Sequence, residues 1–233
     1  MSQIDSFIKN LQQVSLADNA FNPWRDYDPV HDNSERAPGI RVSQLAAYLH
    51  ERLGIAKYIL LAEGVSYQGG KFTGVAMTSE RIILGHHEVV PADAVFSIQA
   101  QRTSAMGISS SVDRLGMAEP TASIVWKALL KNKIPPREVV LWNIFPWHPF
   151  KSGNMLSNRT PNEAELLLGF GHFRQLMDIF PNCHLLCLGK KSEATIMQAM
   201  PHLQLTALRH PANGGAKLFE NGLTKFLHTH GNI

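Results

Sequence analysis

The chain has 233 residues, 44% of them apolar, and a formal net charge of +3, with a sequence pI near 8.9. That length fits one α/β domain with a real core, and the mild positive charge permits a nucleic-acid partner without demanding one. No apolar run approaches the roughly 18 residues that span a bilayer, no secretory leader pattern opens the chain, and two cysteines are too few for an iron–sulfur cluster; a soluble, cytoplasmic protein (nucleoid-associated if bacterial) with no cofactor and no metal is expected.

In chain order, Ile4, Phe7, Ile8 and Leu11 recur at helical spacing and predict a helix over 3–14. Residues 15–40 hold three prolines and many charges and read as a covering strap anchored by Trp24 and Tyr27. Ser43 is placed to cap a helix through about 53, closed by Gly54. Residues 57–62 are the first predicted strand. The stretch 66–77 is glycine-rich, and Thr78 or Ser79 can cap a short helix over 80–84. Residues 86–118 lack periodicity and read as a flexible insertion. Thr121 is placed to cap a helix to about 132, followed by a strand at 138–142 and a long loop at 144–160. Pro161 suits the first turn of a helix to about 179. A strand at 184–188, a helix at 192–200, a strand at 203–208 and a last helix from Gly214-Gly215 to about 228 complete the chain. Cys183 and Cys187 fall on one face of the third strand as core thiols. Strands alternating with helical crossovers predict a three-layer α/β/α sandwich around a central four-stranded, mainly parallel sheet, in one domain over 1–233.

Three segments end a buried-looking apolar run on hydrogen-bonding residues: Ile59-Leu-Leu-Ala-Glu63-Gly64, Val139-Val-Leu-Trp-Asn143 and Leu208-Arg-His210-Pro-Ala-Asn-Gly-Gly215. A parallel sheet delivers such residues to a cleft at the carboxyl ends of its strands. A carboxylate at Glu63 can orient water or stabilise a cation, though alone it reads equally as a surface Glu of a βα loop. Asn143 can donate and accept toward the edge of a nucleobase, or form a turn. His210 can donate to an oxygen that gains charge, or be incidental. Tyr67, Gly69, Gly70, Phe72, Thr73 and Gly74 mix aromatics with glycines, which suits close approach to a flat ring. Asn213-Gly214-Gly215 opens a helix N-terminus and suits one phosphate. Trp142 is read as core. No Walker motif, nucleophile elbow or metal-ligand set is present.

Together these segments resemble the uracil-DNA glycosylase superfamily. Ala62-Glu63-Gly64-Val65 is similar to the family's Gly-Glu-Ala-Pro-Gly motif, without its proline. Thr73-Gly74-Val75-Ala76-Met77 is similar to Thr-Gly-Val-Pro-Phe, with Met77 where an aromatic is usual. Asn143, Asn158-Arg159-Thr160-Pro161 and Glu163 match the middle motif, 184–189 the apolar run ending in Leu-Gly, and His210-Pro211-Ala212 the last motif. The matches span roughly residues 57–225. The resemblance implies a DNA repair glycosylase that flips a deaminated or damaged base, uracil by default, out of single- or double-stranded DNA and cleaves its N-glycosidic bond, acting as a monomer.

It also implies roles. Glu63 takes the water-orienting position, Asn143 reads the base edge, and His210 stabilises the departing anion. Gly64, Tyr67, Phe72, Gly74 and Met77 surround the base. Asn158, Arg159, Asn213, Gly214, Gly215 and Lys217 are the candidate DNA contacts. Two other readings stay open: a catalytically weak protein that binds DNA or a damaged base, and an N-glycosidic hydrolase of free nucleosides.

Overall fold

The computed structural model describes residues 2–230. The amphipathic start is helix α1 (Gln3–Gln13), capped reciprocally by Ser2 and Asp5, with Ile4, Phe7, Ile8 and Leu11 buried. The strap contributes a short strand, β1 (Ala20–Phe21), and Trp24, whose ring stacks on Trp142 with centroids 6.3 Å apart. Tyr27 is exposed and is not the second anchor. Buried charge ties the strap down instead. Arg41 donates to Asp32 at 2.7 Å and to the Pro23 and Asp26 carbonyls, and Lys71 donates to Asp28 at 3.1 Å.

Helix α2 (Ala37–His50) starts earlier than expected because Pro38 occupies its first turn. Ser43 therefore lies inside the helix, and its hydroxyl donates back to the Gly39 carbonyl. Strand β2 (Tyr58–Gly64) extends past the expected end to include Glu63 and Gly64. The chain then passes through α3 (Gly70–Thr73), α4 (Glu80–Ile83), α5 (Ser110–Leu115) and α6 (Pro120–Lys131). Glu119, not Thr121, is the N-cap position of α6, because Pro120 takes the first helical turn. Strand β3 (Val139–Phe145) is buried along its whole length. The expected loop after it contains β4 (His148–Pro149), which pairs antiparallel with β1 and so joins loop to strap.

Residues 86–118 are not a loose insertion: Val90, Val95 and Phe96 are buried in the core, and one carboxylate holds the second half. Glu80 is fully buried and accepts from the backbone N–H groups of Thr103, Ser104 and Met117 and from the Ser104 hydroxyl. A single side chain thus pins both ends of the segment's second half.

Helix α7 (Glu163–Ile179) is capped by Asn162 with Glu165, one step beyond Pro161. Then follow β5 (His184–Leu188), α8 (Lys190–Ala199), β6 (Leu205–Leu208) and α9 (Ala216–His230). Cys183 sits just before β5, half-buried, and Cys187 is buried inside it; both thiols are free, and burial pushes them up to about 11 and about 12.

Strands β2, β3, β5 and β6 form one parallel sheet in the order β3-β2-β5-β6. Helices α7 and α8 pack on β3, β2 and β5, while α9 packs on β6 and against α6. This is the expected sandwich. The connections leaving the adjacent strands β2 and β5 run to opposite sides, to β3 and to β6, which makes their carboxyl ends the switch point of the sheet.

Removing the Glu80 carboxylate leaves several buried donors without an acceptor, each costing about 1–3 kcal/mol. Glu80→Ala is expected to lower the unfolding free energy by at least about 3 kcal/mol in urea titrations, whereas a loose insertion would tolerate it at little cost.

Candidate active site

The register of the sheet sets the level at which side chains emerge. Ala62 pairs with Asn143 and Gly64 with Phe145, so Glu63, Gly64 and Asn143 reach the same rim. His210 arrives two residues after β6. These residues line one cleft of about 670 Å³, together with Val65, Ser66, Gln68, Met77, Glu119, Asn158, Arg159 and Asn213.

Asn143 lies within β3 rather than at a turn, and it is 2% exposed. Its Nδ2 donates to the Gly64 carbonyl at 3.0 Å. That bond fixes the amide's orientation, and its Oδ1 is buried with no hydrogen-bond partner among the described residues. A buried acceptor left open is costly, and this one is repaid by any ligand that brings an N–H.

His210 is oriented by backbone. The Ala212 N–H donates to its Nδ1 at 3.1 Å, so the neutral ring carries its proton on Nε2 and keeps one N–H donor to offer. Burial, with Arg209 adding repulsion, holds its pKa below the ordinary imidazole value. Gly189, at φ +95, lies beneath the ring; a Cβ there would sit 3.2 Å from the Cβ of His210. Glu63 is partly exposed, with Lys191 Nζ 3.7 Å from its Oε1. Met77 is 3% exposed and has an uncommon positive φ of 46°, so it contributes an apolar wall held by strained backbone.

The remaining expected residues divide. Asn158 clamps the first motif, accepting the Tyr67 N–H at 3.0 Å and donating to the Ser66 hydroxyl. Tyr67 is half-buried beside the cleft, between the lining residues Ser66 and Gln68. Phe72 does not face the cleft: it is fully buried, with Lys71 Nζ 4.0 Å from its ring centre. Gly74 is also internal; at φ +74 it packs on the Arg41 backbone, where a Cβ would lie 2.6 Å from the carbonyl oxygen.

Arg159 lines the cleft but has no N–H to spare for a phosphate. It is bidentate to Glu165 at 2.6 and 2.7 Å and donates also to the Phe150, Thr160 and Asn19 carbonyls. Gly215 is buried, its N–H is spent on the Ala212 carbonyl, and a Cβ there would clash with the His210 carbonyl at 2.0 Å. It shapes the turn that presents His210. Asn213 lines the cleft, and Gly214 and Lys217, which follow it in the chain, are exposed.

Glu119 is the residue that the sequence did not mark. It is 7% exposed and lines the cleft. Its Oε2 is buried with no hydrogen-bond partner among the described residues, and it fills the space above Gly69, where a Cβ would come within 1.8 Å of it. Burial alone pushes its carboxyl up to about 8. A Glu before a Pro at a helix start reads as an exposed cap. The one usable signal was the Gly69-Gly70 pair, which marks backbone that another group approaches closely.

No protein-family model matches the chain, and no curated protein sequence does. Among solved structures, the crystal structure of wild-type SMUG2 from Pedobacter heparinus is similar over the whole of both chains, with a TM-score of 0.63 at 13% identity. The architecture matches the uracil-DNA-glycosylase-like fold.

A carboxyl whose folded pKa stands at about 8 binds its proton more tightly folded than unfolded, near 4.5. Its stabilising contribution is complete below the unfolded value and is lost as pH rises to the folded one. Relative to Glu119→Gln, the wild type is expected to lose about 1.4 kcal/mol of stability per pH unit across that window. Paired urea titrations at stepped pH would test this, and parallel pH profiles would contradict it.

Proposed function

We propose that this protein is a DNA glycosylase that flips a deaminated or damaged base, uracil foremost, out of DNA and hydrolyses its N-glycosidic bond to leave an abasic site. The observation that carries this reading is the convergence of Glu63, Asn143 and His210 on one cleft at the switch point of a glycosylase-like fold. The open acceptor on Asn143 and the N–H left free on His210 by its bond from Ala212 add chemical weight.

A base inside a duplex is out of reach, so it must swing into the cleft, at a cost of a few kcal/mol of unstacking. Asn143 Oδ1 accepts a ring N–H of the base. His210 Nε2 donates to a base carbonyl oxygen as negative charge builds there. The glycosidic bond breaks with its electron pair leaving on the base, and the sugar becomes oxocarbenium-like. Glu63 favours that cation and orients the water whose oxygen forms the new bond to the sugar carbon; the water's proton passes to Glu63 and the base anion is protonated by solvent. Met77 packs on the base, and Tyr67 flanks it. Asn213 lines the cleft, and Gly214 and Lys217 follow it around the start of α9, a position suited to a phosphate of the DNA backbone.

Asn143→Ala and His210→Ala are each expected to reduce base release from a uracil-containing oligonucleotide ~10²–10³-fold while oligonucleotide binding persists. Acid should inactivate the wild type as pH falls through the lowered His210 pKa, because protonated Nδ1 can no longer accept the Ala212 N–H. Wild-type turnover by both variants would refute the assignment. Release from free deoxyuridine alone would favour a nucleoside hydrolase, and binding without release from any lesion would favour a recognition protein.

A further inference from the structure

We propose that Glu119 contacts the excised base directly, as a neutral carboxylic acid that donates a hydrogen bond to an acceptor atom of the departing base. The proposal rests on the glycosylase reading above and adds to it a fourth residue, outside the three segments that carry the resemblance.

The geometry points there in three ways. Glu119 shares the cleft with Asn143 and His210. Its buried Oε2 has no partner among the described residues. The backbone also makes room for the group: only glycine at 69 leaves space for Oε2. A buried carboxyl without a partner is costly to keep, and an Ala or Val before Pro120 would start the helix without that cost. The cap itself does not need the side chain, since it makes no capping hydrogen bond.

Charge logic selects the neutral form. A base leaving as an anion would be repelled by a second carboxylate, whereas a protonated acid donates to it and shares no charge with it. Burial keeps Glu119 protonated until about pH 8. Glu63, His210 and Arg159 line the same cleft, with Arg159 saturated by Glu165 and carbonyls. Tyr67 and Lys71 lie on the segment carrying Gly69, Lys71 being paired with Asp28. Glu80, beyond Thr78, is filled by backbone donors, and His87 bonds Ser123 of α6 and the Val89 and Val90 N–H groups, with Lys127 of α6 acting on it. The hydrogen bond transfers no proton, so Glu119 stays neutral through the reaction, distinct from the water-orienting role given to Glu63.

The test compares wild type, Glu119→Ala and Glu119→Gln. Single-stranded oligonucleotides carrying uracil, hypoxanthine or xanthine are assayed for base release on both sides of pH 8, and binding of the same free bases is followed by calorimetry. Glu119→Ala is expected to lose ~10²-fold or more in kcat/KM, with free-base affinity falling in step. Glu119→Gln, which keeps one donor and one acceptor, is expected to recover at least about tenfold of that loss. Wild-type activity should decline as pH rises through about 8, and Glu119→Gln should not share the decline. If Glu119→Ala fails to fold, the contrast in pH profile between the other two proteins decides.

Base release by Glu119→Ala equal to wild type, or the same alkaline decline in Glu119→Gln, would overturn the proposal and leave the glycosylase reading standing. No release by wild type, with free-base binding that depends on Glu119, would overturn the glycosylase reading and leave the base contact standing. Neither release nor binding by wild type would overturn both.

Discussion

The register between β2 and β3 is the constraint on which the cleft depends. With Ala62 opposite Asn143, the Asn143 amide meets the Gly64 carbonyl, and that single bond decides which of its two ends is left open. A slip of one residue would turn Asn143 to the other face of the sheet and carry the neighbouring core residues Trp142 and Ile144 with it. Burial along the whole of β3 forbids that slip. Packing that looks purely structural therefore holds an unsatisfied acceptor in one place, at a cost that a ligand can recover.

Around this rim, the irregular parts of the chain are held by buried polar groups as well as by apolar contact. Glu80 gathers backbone donors from residues 103–117. Arg41 and Lys71 tie the strap through Asp32 and Asp28. Arg159 binds the loop after β4 to the start of α7. Each is nearly saturated, which is how a long loop stays ordered without a sheet ladder to satisfy its backbone. Glu119 and Asn143 break this pattern inside the cleft, where saturation fails on groups that no solvent reaches freely. Unmet hydrogen-bonding capacity in a built cavity suits recognition better than it suits stability.

Residues far apart in the chain meet here because three βα connections end at one edge of the sheet. Glycines make the fit possible at two places. Gly189 lies under the His210 side chain and Gly69 under the Glu119 carboxyl. A side chain at 69 would displace the Glu119 carboxyl and one at 189 would crowd His210, so the shape of the site is set as much by what is missing from the backbone turns as by the groups presented.

Sequence alone determined the parallel sheet, its helical crossovers and the three strand ends, because burial on both faces writes near-continuous apolar runs that stop where the strand leaves the core. Boundaries failed where local chemistry has two solutions: Ser43 and Thr121 look like caps, but Pro38 and Pro120 begin those helices first. Residues 86–118 looked loose because their order comes from scattered buried residues such as Val90, Val95 and Phe96 and from the distant Glu80 carboxylate, neither of which leaves a period in the chain. The site divided in the same way. Glu63, Asn143 and His210 were legible as polar breaks in apolar runs. That Phe72 faces the core, that Arg159 and the Gly215 N–H are already spent, and that Glu119 is a buried cleft residue with a raised pKa were decided only by tertiary structure, since burial, hydrogen-bond saturation and pKa belong to a residue's neighbours in space and not to its neighbours in the chain.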